Sequence, residues 1–223
     1  PQLYSQNQPI DPAAGNPDYH LTEDLTNQAI NWMNAQQAVT PGRPFFMYFA
    51  TGAVHAPHHA PEEWIEKNEG RFDQGWDALR AEILERQIEM GWVPEGTLNA
   101  PRPEDIKAWD NLSDEEKKLF SHQAEVWSAF GEHADDNIGR LLAAIDEHPD
   151  SDNTMVILII GDNGSSAEGG MIGLYNELTY FNGITPQVED NFSHLNEWGS
   201  AVTYPHMAAG WAHATAAPFS WMK

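Results

Sequence analysis

Apolar residues along the chain fall into two kinds of run. In the first kind they return every three or four positions. Leu25, Ala29, Ile30 and Met33 share one face of a helix that Thr22 is placed to cap and that extends to about Gln37. Trp76, Leu79, Ile83 and either Leu84 or Ile88 do the same for a helix from about Asp73 to Met90, and Pro61 suits the first turn of a short helix ending near Glu69. Ser113 and Glu116 form an S-x-x-E capping box that opens the longest helix. In it Phe120, Ala124, Trp127, Gly131, Ala134, Ile138, Leu141 and Ile145 recur at alternating spacings of four and three. Leu119, Val126 and Phe130 widen that stripe beyond a coiled-coil seam, so the helix is predicted to face a globular core.

The second kind of run is unbroken. "FFMYFA" (45–50) and the apolar stretch within 154–160 read as strands buried on both faces. A strand, a long helical excursion and a second strand of this type predict a parallel β-α-β crossover covered on both faces. The expected class is α/β, a mostly parallel sheet with helices on both faces. Residues 1–20, with four prolines and no period, read as an irregular lead-in to one incomplete domain over 1–223.

Composition changes this picture in three ways. Eleven basic against 34 acidic residues give a formal charge of −23, which leaves little with which to neutralise phosphates and speaks against a nucleic-acid partner. Cysteine is absent, which excludes thiolate metal sites and a cysteine nucleophile within these residues. No run of about 18 apolar residues is present to predict a membrane-spanning helix.

The chemistry gathers where the apolar runs end. In an open parallel sheet, ligands bind beyond the carboxyl ends of the strands. "FFMYFA" leads to His55, and "VILII" leads through Gly161 to Asp162 and Asn163. Asn-Gly is a common hairpin turn, but the following "SSAEGGMIG" lacks the alternation of a returning strand. One carboxylate and one amide oxygen on adjacent residues suit a hard cation such as calcium or magnesium. "HAPHH" (55–59) invites a zinc reading, yet its spacing matches no helical pair of ligands, so His55 reads as a lone histidine beside a ligand pocket and His58 and His59 as surface residues.

Several blocks, taken in order, resemble the arylsulfatase branch of the sulfatase family: "PFFMYFATGAVHAPHHAPEEW", "RFDQGWDALR", "NIGRLLAAIDE", "DNTMVILIIGDNGSSAEGG" and "WAHATAAPFSWMK". The likeness runs from about Asp18 to Lys223. It implies an alkaline-phosphatase-like domain that hydrolyses sulfate esters, small or on glycans, with one calcium ion (Ca2+), and it implies a periplasmic or secreted setting. By the same resemblance Asp162 and Asn163 bind the calcium. His55, in a Pro-His-x-Pro frame whose first position is Val54, contacts the sulfate, and Lys223 reaches it as well.

The resemblance also implies parts with no match here. The family's nucleophile is a formylglycine made from the first residue of Cys- or Ser-x-Pro-x-Arg. The one comparable frame, "VTPGR", carries Val39 there, and Val39 is not convertible. An Asp-Asp pair for calcium and a Lys-x-His pair are unmatched too. The expectation is therefore an internal portion of the catalytic domain, inactive alone, with formylglycine supplied by an upstream segment. A phosphatase or phosphodiesterase of the alkaline phosphatase superfamily and a non-catalytic sulfatase remnant stand as alternatives.

Overall fold

The computed structural model describes residues 2–161 and 164–223. Asp162 and Asn163, the two expected calcium ligands, lie outside the described residues. In chain order the elements are β1 (Leu3–Ser5), β2 (Gln8–Ile10), α1 (Leu21–Val39), α2 (Glu62–Glu66), α3 (Gly75–Glu89), α4 (Asp114–Asp146), α5 (Leu178–Phe181), α6 (Val188–Ser193) and α7 (Ala209–Thr215), with short 3-10 turns between several of them. The chain divides into two compact units: Pro1–Ala53 with Glu132–Val156, and Val54–Gly131 with Ile157–Lys223.

In the first unit β1 and β2 form an antiparallel ribbon, turned by Gln6 and Asn7 at φ 48° and 66°. Both turn residues with positive φ give the backbone twist that a two-residue hairpin needs. Helix α1 buries Met33, Thr22 and Thr26. Its cap differs from expectation: His20, not Thr22, is the N-cap, and its Nδ1 accepts from the Thr22 N–H at 3.3 Å. Thr22 is buried inside the first turn. Polar contacts fasten α1 to the later half of α4. Glu23 lies 3.2 Å from His133 Nε2, and Arg140 reaches Asn27 Oδ1 at 2.6 Å and Asn137 Oδ1 at 2.8 Å.

The second unit holds the main core. Trp76 on α3 meets Trp109, Phe120 and Trp211 at ring-centroid distances of 4.9, 5.5 and 5.7 Å, the edge-to-face and tilted geometries that aromatic quadrupoles favour. Two of the buried indole N–H groups find an oxygen: Trp76 donates to the Lys107 carbonyl at 3.1 Å and Trp211 to the Phe120 carbonyl at 2.8 Å. Gly75 starts α3 at φ +81°, where a Cβ would stand 2.1 Å from Trp109 Cγ, so only glycine admits this packing. The capping box is present, with Ser113 N to Glu116 Oε2 at 2.9 Å and Glu116 N to Ser113 Oγ at 3.2 Å.

Buried amides tie the irregular C-terminal segments to this core. Gln123 of α4 donates to the Ile172 carbonyl at 2.9 Å and accepts from the Ala208 N–H at 2.9 Å. Arg80 of α3 is 5% exposed and spends its guanidinium on main-chain oxygens, those of His213, of Phe219 at 2.7 Å and of Ala100 at 3.5 Å.

The two expected strands are not formed. Among the described residues the only strands are β1 and β2, and residues 44–50 and 154–161 have no ladder partner. Phe46 is 85% exposed and Met155 84%, and Ile157, Leu158, Ile159 and Ile160 are exposed as well. The reason is physical. A parallel strand exists only as a pairing, with neighbours accepting its ladder bonds, and the described residues offer these two runs no such partner.

Candidate functional site

His55 stands on the segment that follows the first apolar run. It is exposed, and its Nδ1 lies 2.8 Å from the carbonyl oxygen of Ala56, so the ring's other nitrogen is free to face a ligand. The rest of the histidine loop is anchored. The His58 N–H donates to the Pro205 carbonyl at 3.1 Å, and His59 Nε2 pairs with the Thr203 carbonyl at 2.8 Å. His58 itself is 3% exposed, which corrects the expectation of a surface residue. Its ring packs on His206, centroids 5.1 Å apart, because the preceding turn drives it beneath the 203–207 segment.

Lys223 belongs to a second anchored segment. Its main-chain N–H donates to the Ser165 carbonyl at 3.1 Å and its carbonyl accepts from the Ala167 N–H at 3.4 Å. Thr215 Oγ1 donates to Ser165 Oγ at 2.7 Å, fixing the same loop from α7. Gly164, immediately after Asn163, has φ +82°, and a Cβ on it would be 3.3 Å from the Lys223 nitrogen. The backbone carrying Lys223 is thus paired with the residues directly following Asp162-Asn163. The side chain of Lys223 is exposed.

The 203–207 segment joins these two parts. His206 exchanges main-chain bonds with Leu174 at 2.9 and 2.8 Å, and Nε2 of His206 lies 3.9 Å from Glu168 Oε2. Gly169 allows that approach, since a Cβ there would meet the Met207 carbonyl oxygen at 2.2 Å and His206 Nδ1 at 2.9 Å. The histidine loop, the loop after Asn163 and the Lys223 segment therefore converge within the second unit. His206 and Glu168 were not legible as site residues. They lie 38 positions apart in sequence, without a spacing that marks them.

Burial favours the neutral forms of His58, His59 and His206. Burial, followed by the neighbouring His206, His59 and His55, pushes His58 well below its ordinary value. Burial lowers His206 and His59 too, the carboxylates of Glu177 and Glu168 opposing it at His206 and the Thr203 carbonyl opposing it at His59. On α7, burial and then the Arg80 guanidinium bring His213 down to about 4. An unfolded chain would protonate all of these near pH 6.5. Their neutral forms therefore stabilise the fold fully above that pH, and the contribution drains away as pH falls from about 6.5 toward 4. Thermal melts should show a falling Tm between pH 7 and pH 5, and a His213→Gln variant should fall less steeply. A Tm that is level over that interval would contradict the neutral, buried state of these rings.

A cavity of about 730 Å³ opens on the second unit, lined among others by Glu62, Glu66, Glu69, Asp73, Glu125 and Trp198. None of His55, His206, Glu168 or Lys223 lines it. Among the described residues no group of three or more His, Asp or Glu side chains is arranged to hold a metal ion.

Comparison with known proteins decides the family. The Sulfatase family model matches residues 2–210. This chain belongs to the sulfatase family. An uncharacterized sulfatase of Schizosaccharomyces pombe is 32% identical over 225 residues, covering 98% of this chain and 38% of that protein. An arylsulfatase of Klebsiella aerogenes is 27% identical over 205 residues, covering 91% of this chain and 41% of its own. The chain thus spans about two fifths of the length of these relatives. Membership of the family implies the alkaline-phosphatase-like α/β domain type.

Proposed function

We propose that this chain carries the sulfate-binding part of an arylsulfatase-type, calcium-dependent hydrolase. The observation that supports it most is the pairing of Lys223 with Ser165 and Ala167, which brings a cationic segment to the residues just after Asp162-Asn163. The donor chemistry of that pair fits calcium, since a carboxylate and an amide oxygen are hard ligands of the kind this ion takes. Asp162 and Asn163 would hold the ion as part of a larger oxygen shell. When bound, calcium would offset negative charge on the sulfate oxygens.

The remaining work falls to side chains of this chain. Lys223 directs its ammonium to a sulfate oxygen, where a fixed positive charge is worth most as the S–O bond to the leaving group lengthens. His55, exposed and on an anchored loop, donates a proton or a hydrogen bond to the leaving oxygen. The formylglycine that serves this family as nucleophile has no matching residue here, so this chain binds and protonates while another segment attacks. In the full-length protein, residues 45–50 and 154–160 become strands of a mostly parallel sheet. Their unbroken apolar character and present exposure support that reading.

The test is a paired rate measurement on sulfate and phosphate esters of the same phenol, with calcium present. The full-length protein should cleave the sulfate ester faster, because one divalent ion offsets the single charge of a sulfate ester better than the double charge of a phosphate monoester. Faster phosphate turnover would transfer the assignment to a phosphatase of the same superfamily. The 223-residue chain alone should turn over neither.

A further inference from the structure

Helix α7 is buried from Ala209 to Ala214. Its Gly210 approaches the Trp76 ring so closely that a Cβ would stand 2.5 Å from it. Thr215, the last residue of the helix, is half-buried, and its Oγ1 reaches Ser165 Oγ at 2.7 Å. Ser165 stands two residues after Asn163 and is bonded twice, through its hydroxyl to Thr215 and through its carbonyl to the Lys223 N–H at 3.1 Å. The Ala167 N–H completes that pairing on the Lys223 carbonyl at 3.4 Å. Met222, beside Lys223, packs against the core. One pair of hydroxyls thus links a buried helix to the loop after Asp162-Asn163, and through that loop to Lys223.

We propose that the Thr215–Ser165 hydroxyl pair sets the spacing between Lys223 and the Asp162-Asn163 turn, so that the ammonium and the calcium ligands meet one sulfate. This rests on the reading of Lys223 as sulfate-binding and of Asp162-Asn163 as calcium-binding. The physical ground is the kind of bond each segment makes. The bonds between 165–167 and Lys223 run from main chain to main chain, so they hold the two segments to each other. The hydroxyl bond holds Ser165 directly to a helix that the core has fixed. A charged group that must sit against a reacting sulfate tolerates little play, since a displacement of about 1 Å costs on the order of 10²-fold in rate. Groups held on a rigid element keep that precision. In this role Ser165 and Thr215 touch neither sulfate nor metal. They are positioning residues, and they act through Lys223 and the residues just before Gly164.

The test uses the full-length protein with Thr215→Val, Thr215→Ser, Ser165→Ala and the Val/Ala double variant. Thr215→Val keeps the side chain's shape and removes its hydroxyl. It should lower kcat on an aryl sulfate about tenfold. It should also weaken calcium in a calorimetric titration, and speed deuterium exchange at the Lys223 amide, by about fivefold each, the effect of one lost hydrogen bond. Thr215→Ser retains the hydroxyl and should restore all three. Because the two side chains share one bond, the double variant should be no worse than either single variant. Ser121→Ala, which removes a buried hydroxyl elsewhere in the same unit, is the control for stability alone and should leave kcat and the Lys223 amide at parental values. A merely structural hydroxyl would move Tm and leave calcium affinity and amide exchange where they are. Unchanged exchange at Lys223 in Thr215→Val, or single-variant losses that multiply in the double variant, overturns the proposal. Lys223→Ala separates the two readings: full turnover in that variant defeats the sulfate-binding role, while exchange at the residue 223 amide still decides the hydroxyl pair.

Discussion

Alanine at Asp162 is expected to remove calcium binding and sulfate-ester turnover together from the full-length protein, with the rate down by about 10³-fold, the upper end of what losing one electrostatic stabiliser costs. The ion takes six to eight oxygens and relies on carboxylates for charge, and the adjacent Asn163 is neutral and cannot replace one. Asp162→Asn should keep an oxygen ligand but lose the charge, and so should fall between the parent and the alanine variant. Calcium titration by calorimetry, with rates measured on the same samples, checks both halves. Calcium held at parental affinity in Asp162→Ala would remove the metal assignment, and lost affinity with an intact rate would remove the catalytic one.

The second large effect is expected at His55. In the full-length protein His55→Ala should lower kcat by roughly 10²- to 10⁴-fold, the range for loss of a positioned proton donor. Stability should hardly change, because the side chain is exposed and its nearest polar partner is the carbonyl of its own neighbour. His58→Ala should behave oppositely at the level of the fold, since that ring is buried against His206 and its removal leaves a cavity. Comparing Tm and kcat for the two variants separates chemistry from packing. A His55→Ala enzyme with unchanged kcat would take the donor role from this residue.

Local pattern carried the helices well. Helix α3 lies within the span its spacing predicts, and α4 begins one residue after the Ser113 of its capping box. Each of these signals depends on neighbours within about a turn, which a sequence displays directly. The cap of α1 is less legible for a related reason: His20 competes with Thr22 for the same role, and Thr22 is buried inside the first turn. The apolar runs at 45–50 and 154–160 have the composition of buried strands, but pairing is a property of partners, and among the described residues they have none. The placement of Lys223 beside the 165–167 loop, and of His206 beside His58, depends on contacts across 50 to 150 residues and on glycines such as Gly169 that merely permit an approach. Neither has a local signature.

Arg80 has a consequence in time as well as in space. Its guanidinium binds carbonyl oxygens 133 and 139 positions further along the chain, those of His213 and Phe219, just before Lys223. On a ribosome adding about 5–20 residues per second, those acceptors follow the arginine by on the order of ten seconds. Throughout that interval the cation must stay hydrated and α3 cannot bury the face that bears it. The core of the second unit therefore closes only after the segment leading to Lys223 has been made, and that segment is among the last parts of the unit to settle during synthesis.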